Sequence, residues 1–298
     1  MKRLADWWFA PAPAERLAAL RILIGGWALF YVLARLPEFM AVARYGAANF
    51  HPYGVVRVLD APLPAGAVLP IAIATCLLLA AFITGFAYRI TAPLAALALL
   101  WTITYRNVWG MPFHTENLLV LHVIVLALSP AADAWAIGSR GRAASAAGYG
   151  WAIKLCAALT AATYLLAGIA KLRIAGAGWI DGELLRNQIA VDNLRKALLG
   201  DGVAPLANLV LDHPGPLVVF CVMTLAIELG APLALLHRYA GYAWCLGAWG
   251  FHVGVVLLMN IWFPYPLFGL AFLPFVPAER IVAGVLRVGR GIRAKLGR

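Results

Sequence analysis

Residues 66–87 read GAVLPIAIATCLLLAAFITGFA, an unbroken run without a charged side chain. At about 1.5 Å per residue a helix of this length spans about 30 Å, the thickness of a bilayer's hydrocarbon core. Backbone N–H and C=O groups cannot go unpaired in hydrocarbon, so such a run must be helical. Strands of a membrane barrel would alternate polar with apolar residues, and these do not.

The same pattern recurs along the chain. Of 298 residues, 63% are hydrophobic and 12% charged, against about 25% charged in a typical soluble domain. Too few charges remain to cover a water-facing surface, which excludes a soluble domain. Helices are expected near 16–36, 66–87, 90–106, 114–131, 150–172, 215–236, 239–260 and 263–279. The fold class that follows is all-α, a polytopic membrane bundle of about eight transmembrane helices. Pro62, Pro64 and Pro70 mark the start of the second span. The Gly/Ala/Ser/Arg stretch from Ile137 to Gly150 reads as a linker, and the longest polar insertion, an outside segment, runs from Leu172 to Gly215. Arg21 and the prolines before the first run argue for a retained first helix, not a cleaved signal.

An even number of spans places both termini on one side. That side collects thirteen basic and four acidic residues, the other nine and eight, so the positive-inside rule makes the termini cytoplasmic in a bacterial-type cytoplasmic membrane. The pI near 9.9 is then a topology signal. Charges scattered over short loops, without an interleaved aromatic patch, give no nucleic-acid surface. Residues 280–298 read as a basic amphipathic cytoplasmic tail whose partner is membrane lipid. Cys76, Cys156, Cys221 and Cys245 lie inside apolar runs and behave as small hydrophobes. No H-x-x-x-H or H-E-x-x-H pair, P-loop, G-x-S-x-G or dinucleotide fingerprint occurs, and no metal is expected.

Ionisable groups within spans cost about 2.5 to 3.5 kcal/mol each on insertion scales, so each asks for a reason. Arg21, His122, Lys154, Lys171, Glu228 and His252 are in this class. Lys154 stands near a helix end, where it can snorkel. Tyr164, Ala167, Gly168 and Lys171 share one helical face, and its small residues permit close packing. Lys171 either snorkels or points along a packed stripe, where a buried amine can serve as a base. His114, at the mouth of the fourth span, is a cap or a functional imidazole. His252 lies in Gly250-Phe-His-Val-Gly254, a G-x-x-x-G expected to bring neighbouring backbone close, and is a hydrogen-bonding glue residue or a site residue. Pro264 and Pro266 bracket Tyr265, so this stretch is a broken helix facing a cavity or, with Trp262 and Tyr265, an interfacial belt.

These segments resemble, in chain order, the vitamin K-dependent gamma-carboxylase-like, or horizontally transferred transmembrane (HTTM), family. Leu20-Arg-Ile-Leu-Ile-Gly25 is similar to its first-span signature, Gly85-Phe-Ala-Tyr-Arg89 to its second turn, and His114 to Pro130 to its fourth span. Tyr164 to Lys171, followed by Trp179-Ile-Asp-Gly182, resembles Y-x-x-A-G-x-x-K…W-hydrophobic-acid-G. Phe251-His252 and Phe263-Pro-Tyr265 resemble the closing block. On this resemblance residues 1–279 form an HTTM-like transmembrane domain.

The resemblance implies an integral membrane enzyme that oxygenates reduced vitamin K or another isoprenoid quinol on the outer side, giving an epoxide, with coupled carboxylation of an acceptor. Lys171 matches the base, His114 and His252 match supporting histidines, and Tyr164, Gly168, Trp179, Tyr265 and Asn117 are the expected quinol-binding residues. Asp181 and Glu228 are weaker matches. Two departures bear on the acceptor. The animal carboxylases carry two adjacent lysines where this chain has Ala170-Lys171, and they continue into a large lumenal portion, whereas this chain stops soon after its last expected span. Other short members look like partners in peptide toxin maturation, so a non-enzymatic partner in maturation of, or immunity to, a secreted peptide or protein is the alternative.

Overall fold

The computed structural model describes residues 2–110, 114–138, 148–213, 215–285 and 287. Arg140, Arg142 and most of the expected 137–150 linker lie outside the described residues. So does the tail, apart from residues 280–285 and 287.

Every regular element among the described residues is helical: α1 (Lys2–Trp8), α2 (Ala14–Ala34), α3 (Leu36–Val42), α4 (Ala65–Thr84), α5 (Tyr88–Arg106), α6 (Asn117–Ala127), α7 (Gly150–Ala175), α8 (Glu183–Leu198), α9 (Ala207–Asp212), α10 (Gly215–Leu229), α11 (Arg238–Met259) and α12 (Pro264–Leu267), with short 3₁₀ turns between them. Four apolar helices are long enough to cross a bilayer: Ala14–Ala34, Ala65–Thr84, Gly150–Trp179 and Arg238–Met259. The others expected from the sequence are shorter or more polar. Helix α6 has 11 residues because Ser129 and Pro130 interrupt it, and α10 has 15 because the chain turns at Gly230 before Pro232.

The helix expected over 263–279 is corrected. Pro264 and Pro266 confine α12 to four residues, Gly269 takes a left-handed φ of 78°, and a 3₁₀ turn follows over Leu270–Phe275. Proline removes amide donors and fixes φ, so hydropathy alone does not sustain a continuous helix there.

The chain divides into two compact units, residues 1–156 with 277–298, and residues 157–276. In the first, α2 packs on α4 and α6, and α4 on α5. Gly25 permits the α2–α4 approach: a Cβ there would stand 2.8 Å from the Phe82 ring. Thr75 and Thr102 hydroxyls join α4 to α5 at 2.8 Å. The fully buried Arg21 donates to the carbonyls of Ala131 at 2.7 Å and Trp135 at 2.6 Å. It thus caps the irregular backbone after α6, which explains an arginine within a span. Lys154 Nζ sits 4.1 Å from the Trp7 ring centroid, a cation–π contact.

In the second unit, α8 is fastened through its polar face. Lys196 donates to the carbonyls of Met259 and Asn260 and, at 2.6 Å, to Asp192. Asn193 donates to Leu258 O at 3.0 Å and accepts from the Ala204 N–H at 2.7 Å. The last carbonyls of α11 have no partners in their own helix, so these side chains complete its C-terminus. Ile189, Ala204, Ala207, Val210 and Leu217 form an apolar cluster beside this lock.

Candidate functional site

The second unit assembles its polar residues around α7. Tyr164, Gly168 and Lys171 recur at helical spacing on one face, and that face meets α10. At Gly168 a Cβ would stand 2.9 Å from the Glu228 Cβ and 2.9 Å from Leu229. The missing side chain therefore permits the approach that delivers Glu228 to Lys171. Lys171 Nζ donates to Glu228 Oε1 at 2.5 Å, with side-chain exposures of 22% for the lysine and 3% for the glutamate. Trp179 closes one side, its ring centroid 5.3 Å from Nζ.

Two turns earlier on α7, the Tyr164 hydroxyl is hydrogen-bonded to His252 Nε2 of α11 at 2.7 Å. Trp244 meets the Tyr164 ring edge-on at 5.0 Å and Phe263 lies 5.4 Å from the imidazole. Both ring residues are buried. Three buried polar atoms here have no hydrogen-bond partner among the described residues: Glu228 Oε2, Trp179 Nε1 and His252 Nδ1. An acceptor, an indole donor and an imidazole nitrogen left unsatisfied away from water each carry a desolvation penalty of about 1–3 kcal/mol. A polar ligand head offering complementary groups would relieve it.

An apolar groove of about 420 Å³ lies in the same unit, lined by Leu185, Ile189, Phe220, Met223, Gly250 and Gly254 among others. Its wall includes Ile227 and Phe251, the residues immediately before Glu228 and His252. The close packing expected of the Gly250/Gly254 pair is corrected here: a Cβ at either position would meet nothing within 4 Å. Among the described residues these glycines leave space along α11 and seat no neighbouring helix.

Of the residues expected from the sequence, Lys171, Tyr164, Gly168, Trp179 and His252 belong to this cluster. Tyr265 is buried on α12 in the same unit. His114 and Asn117 belong to the first unit, where both are exposed. Asp181 accepts from the Glu183 N–H at 2.9 Å, shaping the start of α8. Glu228, a weak candidate in the sequence, is the partner of the lysine. An acid within a span had signalled its need for a counter-ion.

Sequence reasoning missed a second polar cluster, in the first unit. Arg106 contacts the Tyr31 hydroxyl at 2.5 Å, Glu38 at 2.8 Å and Glu116 at 3.9 Å. Glu116 Oε2 and Trp109 Nε1 have no partner among the described residues.

No histidine, cysteine and carboxylate group able to hold a metal occurs among the described residues. No curated protein and no solved structure gives a match to the chain. A family model does: the HTTM domain matches residues 9–278, from before α2 to the segment after α12, and the chain belongs to that family.

Proposed function

We propose that the protein is an integral membrane enzyme that binds a reduced isoprenoid quinone and uses oxygen to epoxidise it, with the Lys171–Glu228 pair as its base assembly. The observation that carries this reading is that pair, a half-buried Lys171 at 2.5 Å from a buried Glu228, beside unsatisfied Glu228 Oε2 and Trp179 Nε1. The residues present fit a ligand with a small polar head and a hydrocarbon tail. The unsatisfied atoms suit hydroxyl or carbonyl oxygens, and the apolar groove suits the chain.

When bound, the quinol supplies the electrons: with one oxygen molecule it ends as quinone epoxide and water. The protein's part is to bind, orient and move protons. Lys171 in the pair holds its proton against Glu228. Passing that proton to Glu228 Oε1 leaves an amine at Nζ able to accept one from a quinol hydroxyl. Trp179 shields the pair from water, and its indole N–H is a donor for a developing oxyanion. The Tyr164–His252 hydrogen bond fixes the imidazole ring so that Nδ1 is presented in one orientation.

The expected topology of about eight spans, with cytoplasmic termini and an outer site, is part of the same proposal. Helices α5, α6 and α10 and the broken 263–279 stretch would complete the crossings, since short or irregular segments are tolerated where protein covers their backbone. Coupled carboxylation of a secreted peptide or protein belongs to this proposal as well.

The test is purified protein in lipid nanodiscs, given vitamin K hydroquinone and oxygen, with epoxide read by chromatography. Wild type is expected to form epoxide. Lys171→Ala is expected to lose about 10²- to 10⁴-fold in rate, the usual worth of a positioned base, at normal expression. A non-enzymatic maturation partner would form no epoxide and would keep its activity in that variant.

A further inference from the structure

Helix α8 is built inside out for water. Its inward face carries Asn193 and Lys196, 7% and 8% exposed, bonded into the α11 terminus. Its outward face carries Leu184, Val191, Leu194 and Leu198, the last three 65%, 60% and 78% exposed. Positions 184, 191, 194 and 198 fall on one stripe of about 80° at 100° per residue. Exposed apolar residues are not confined to this stripe. Leu199, Val203 and Leu209 are also exposed, as are Val219, Val222 and Met223 on α10, against which α8 packs.

Exposed apolar side chains in this number, interrupted on α8 by the exposed Asn187, would in water mark an interaction surface. What covers it follows from the tethers. The segment starts a few residues after α7, which is long and apolar enough to cross a bilayer, and it leads directly into apolar α10. A stretch held at both ends by membrane helices cannot move far from the headgroup region, so lipid is the solvent within reach of these leucines.

We propose that α8 lies in the membrane interface with Leu184, Val191, Leu194 and Leu198 among the upper acyl chains, and that the 183–209 segment is a membrane-embedded element of the second unit. Its charged groups agree with this placement. Asp192 is paired with Lys196 on the protein side at 2.6 Å and with Arg195 at 2.8 Å, and Arg195, at the edge of the stripe, is exposed at headgroup level. Leu185, Ile189 and Leu206 of the same segment line the apolar groove, so the embedded segment would set that groove at acyl-chain depth.

The test uses the full chain in phosphatidylcholine/phosphatidylglycerol vesicles, with an environment-sensitive fluorophore on Val191→Cys, Leu194→Cys or Leu198→Cys, and on Gln188→Cys as the water-facing control. The four native cysteines are buried, so labelling is selective, and all four altered sites are exposed, so folding is preserved. Labels at 191, 194 and 198 are expected to be quenched by acyl-chain spin-labelled lipid and to be about threefold or more less quenched by aqueous iodide than the label at 188. Equal iodide quenching at all four sites overturns the proposal. So does protection from iodide without lipid quenching that disappears on dilution, which would assign the stripe to a second copy of the chain.

Discussion

Lys171 of α7 and Glu228 of α10 meet at 2.5 Å because Gly168, one turn before the lysine, leaves room for the glutamate's own Cβ. Truncating Lys171 strands the carboxylate of Glu228 away from water, whereas truncating Glu228 leaves a partly exposed lysine. Lys171→Met alone is therefore expected to destabilise the fold by about 3 kcal/mol and Glu228→Leu by less, and the double variant to recover most of the loss. Thermal melting in detergent reads the stability. Turnover must stay absent in the double variant, because restored packing returns no base.

Gly168→Ala tests the approach itself. With Glu228 Cβ and Leu229 each 2.9 Å from the new methyl, the helices must part, at about 1–3 kcal/mol. The same melting assay is expected to show the loss, together with reduced turnover. An unchanged melting temperature would show that α10 is seated by other contacts.

Gly250→Leu should behave in the opposite way. Its Cβ has open space, so stability is expected to hold while the groove fills. Binding of vitamin K hydroquinone, measured by tryptophan fluorescence, is expected to weaken about fivefold or more through lost packing on its chain, with menadiol, which has the same ring system and no chain, unaffected. Equal loss for both ligands would place the chain elsewhere.

The α8 lock is expected to weaken in acid. Burial alone would raise the Asp192 carboxyl, but hydrogen bonds and charge from Arg195 and Lys196 outweigh it and hold the group below its ordinary value. A carboxyl lowered on folding contributes stability that is present above its unfolded value, about 3.9, and is lost as pH falls through the folded value. Hydrogen exchange across α8 should accelerate in that window. Asp192→Asn should remove the pH dependence while leaving exchange in α4 unchanged.

The helical face of Tyr164, Gly168 and Lys171 was legible in the sequence because it depends only on period. Its pairing with Glu228 was not, since which turn of α10 faces that stripe is decided by packing at Gly168. The Gly250/Gly254 spacing records small residues but not whether a neighbour fills the space they leave, and among the described residues none does. Hydropathy across 263–279 averages over Pro264, Pro266 and the left-handed Gly269, so it indicated an unbroken helix where the backbone turns. Composition marked 172–215 as an outside polar insertion, yet Asn193 and Lys196 face inward and the leucines face out. The match over residues 9–278 agrees with the family that the ordered motifs suggested.

In the proposed function Lys171 and Glu228 together drive oxygenation of a quinol. The most direct measurement is a single-turnover reaction under ¹⁸O₂, with purified wild type, Lys171→Ala and Glu228→Gln given vitamin K hydroquinone and the epoxide weighed by mass spectrometry. The expected result is an ¹⁸O-labelled epoxide from wild type, with both variants slowed by about 10²-fold or more. Unlabelled epoxide, no epoxide from wild type with any isoprenoid quinol, or equal rates in all three proteins would contradict it.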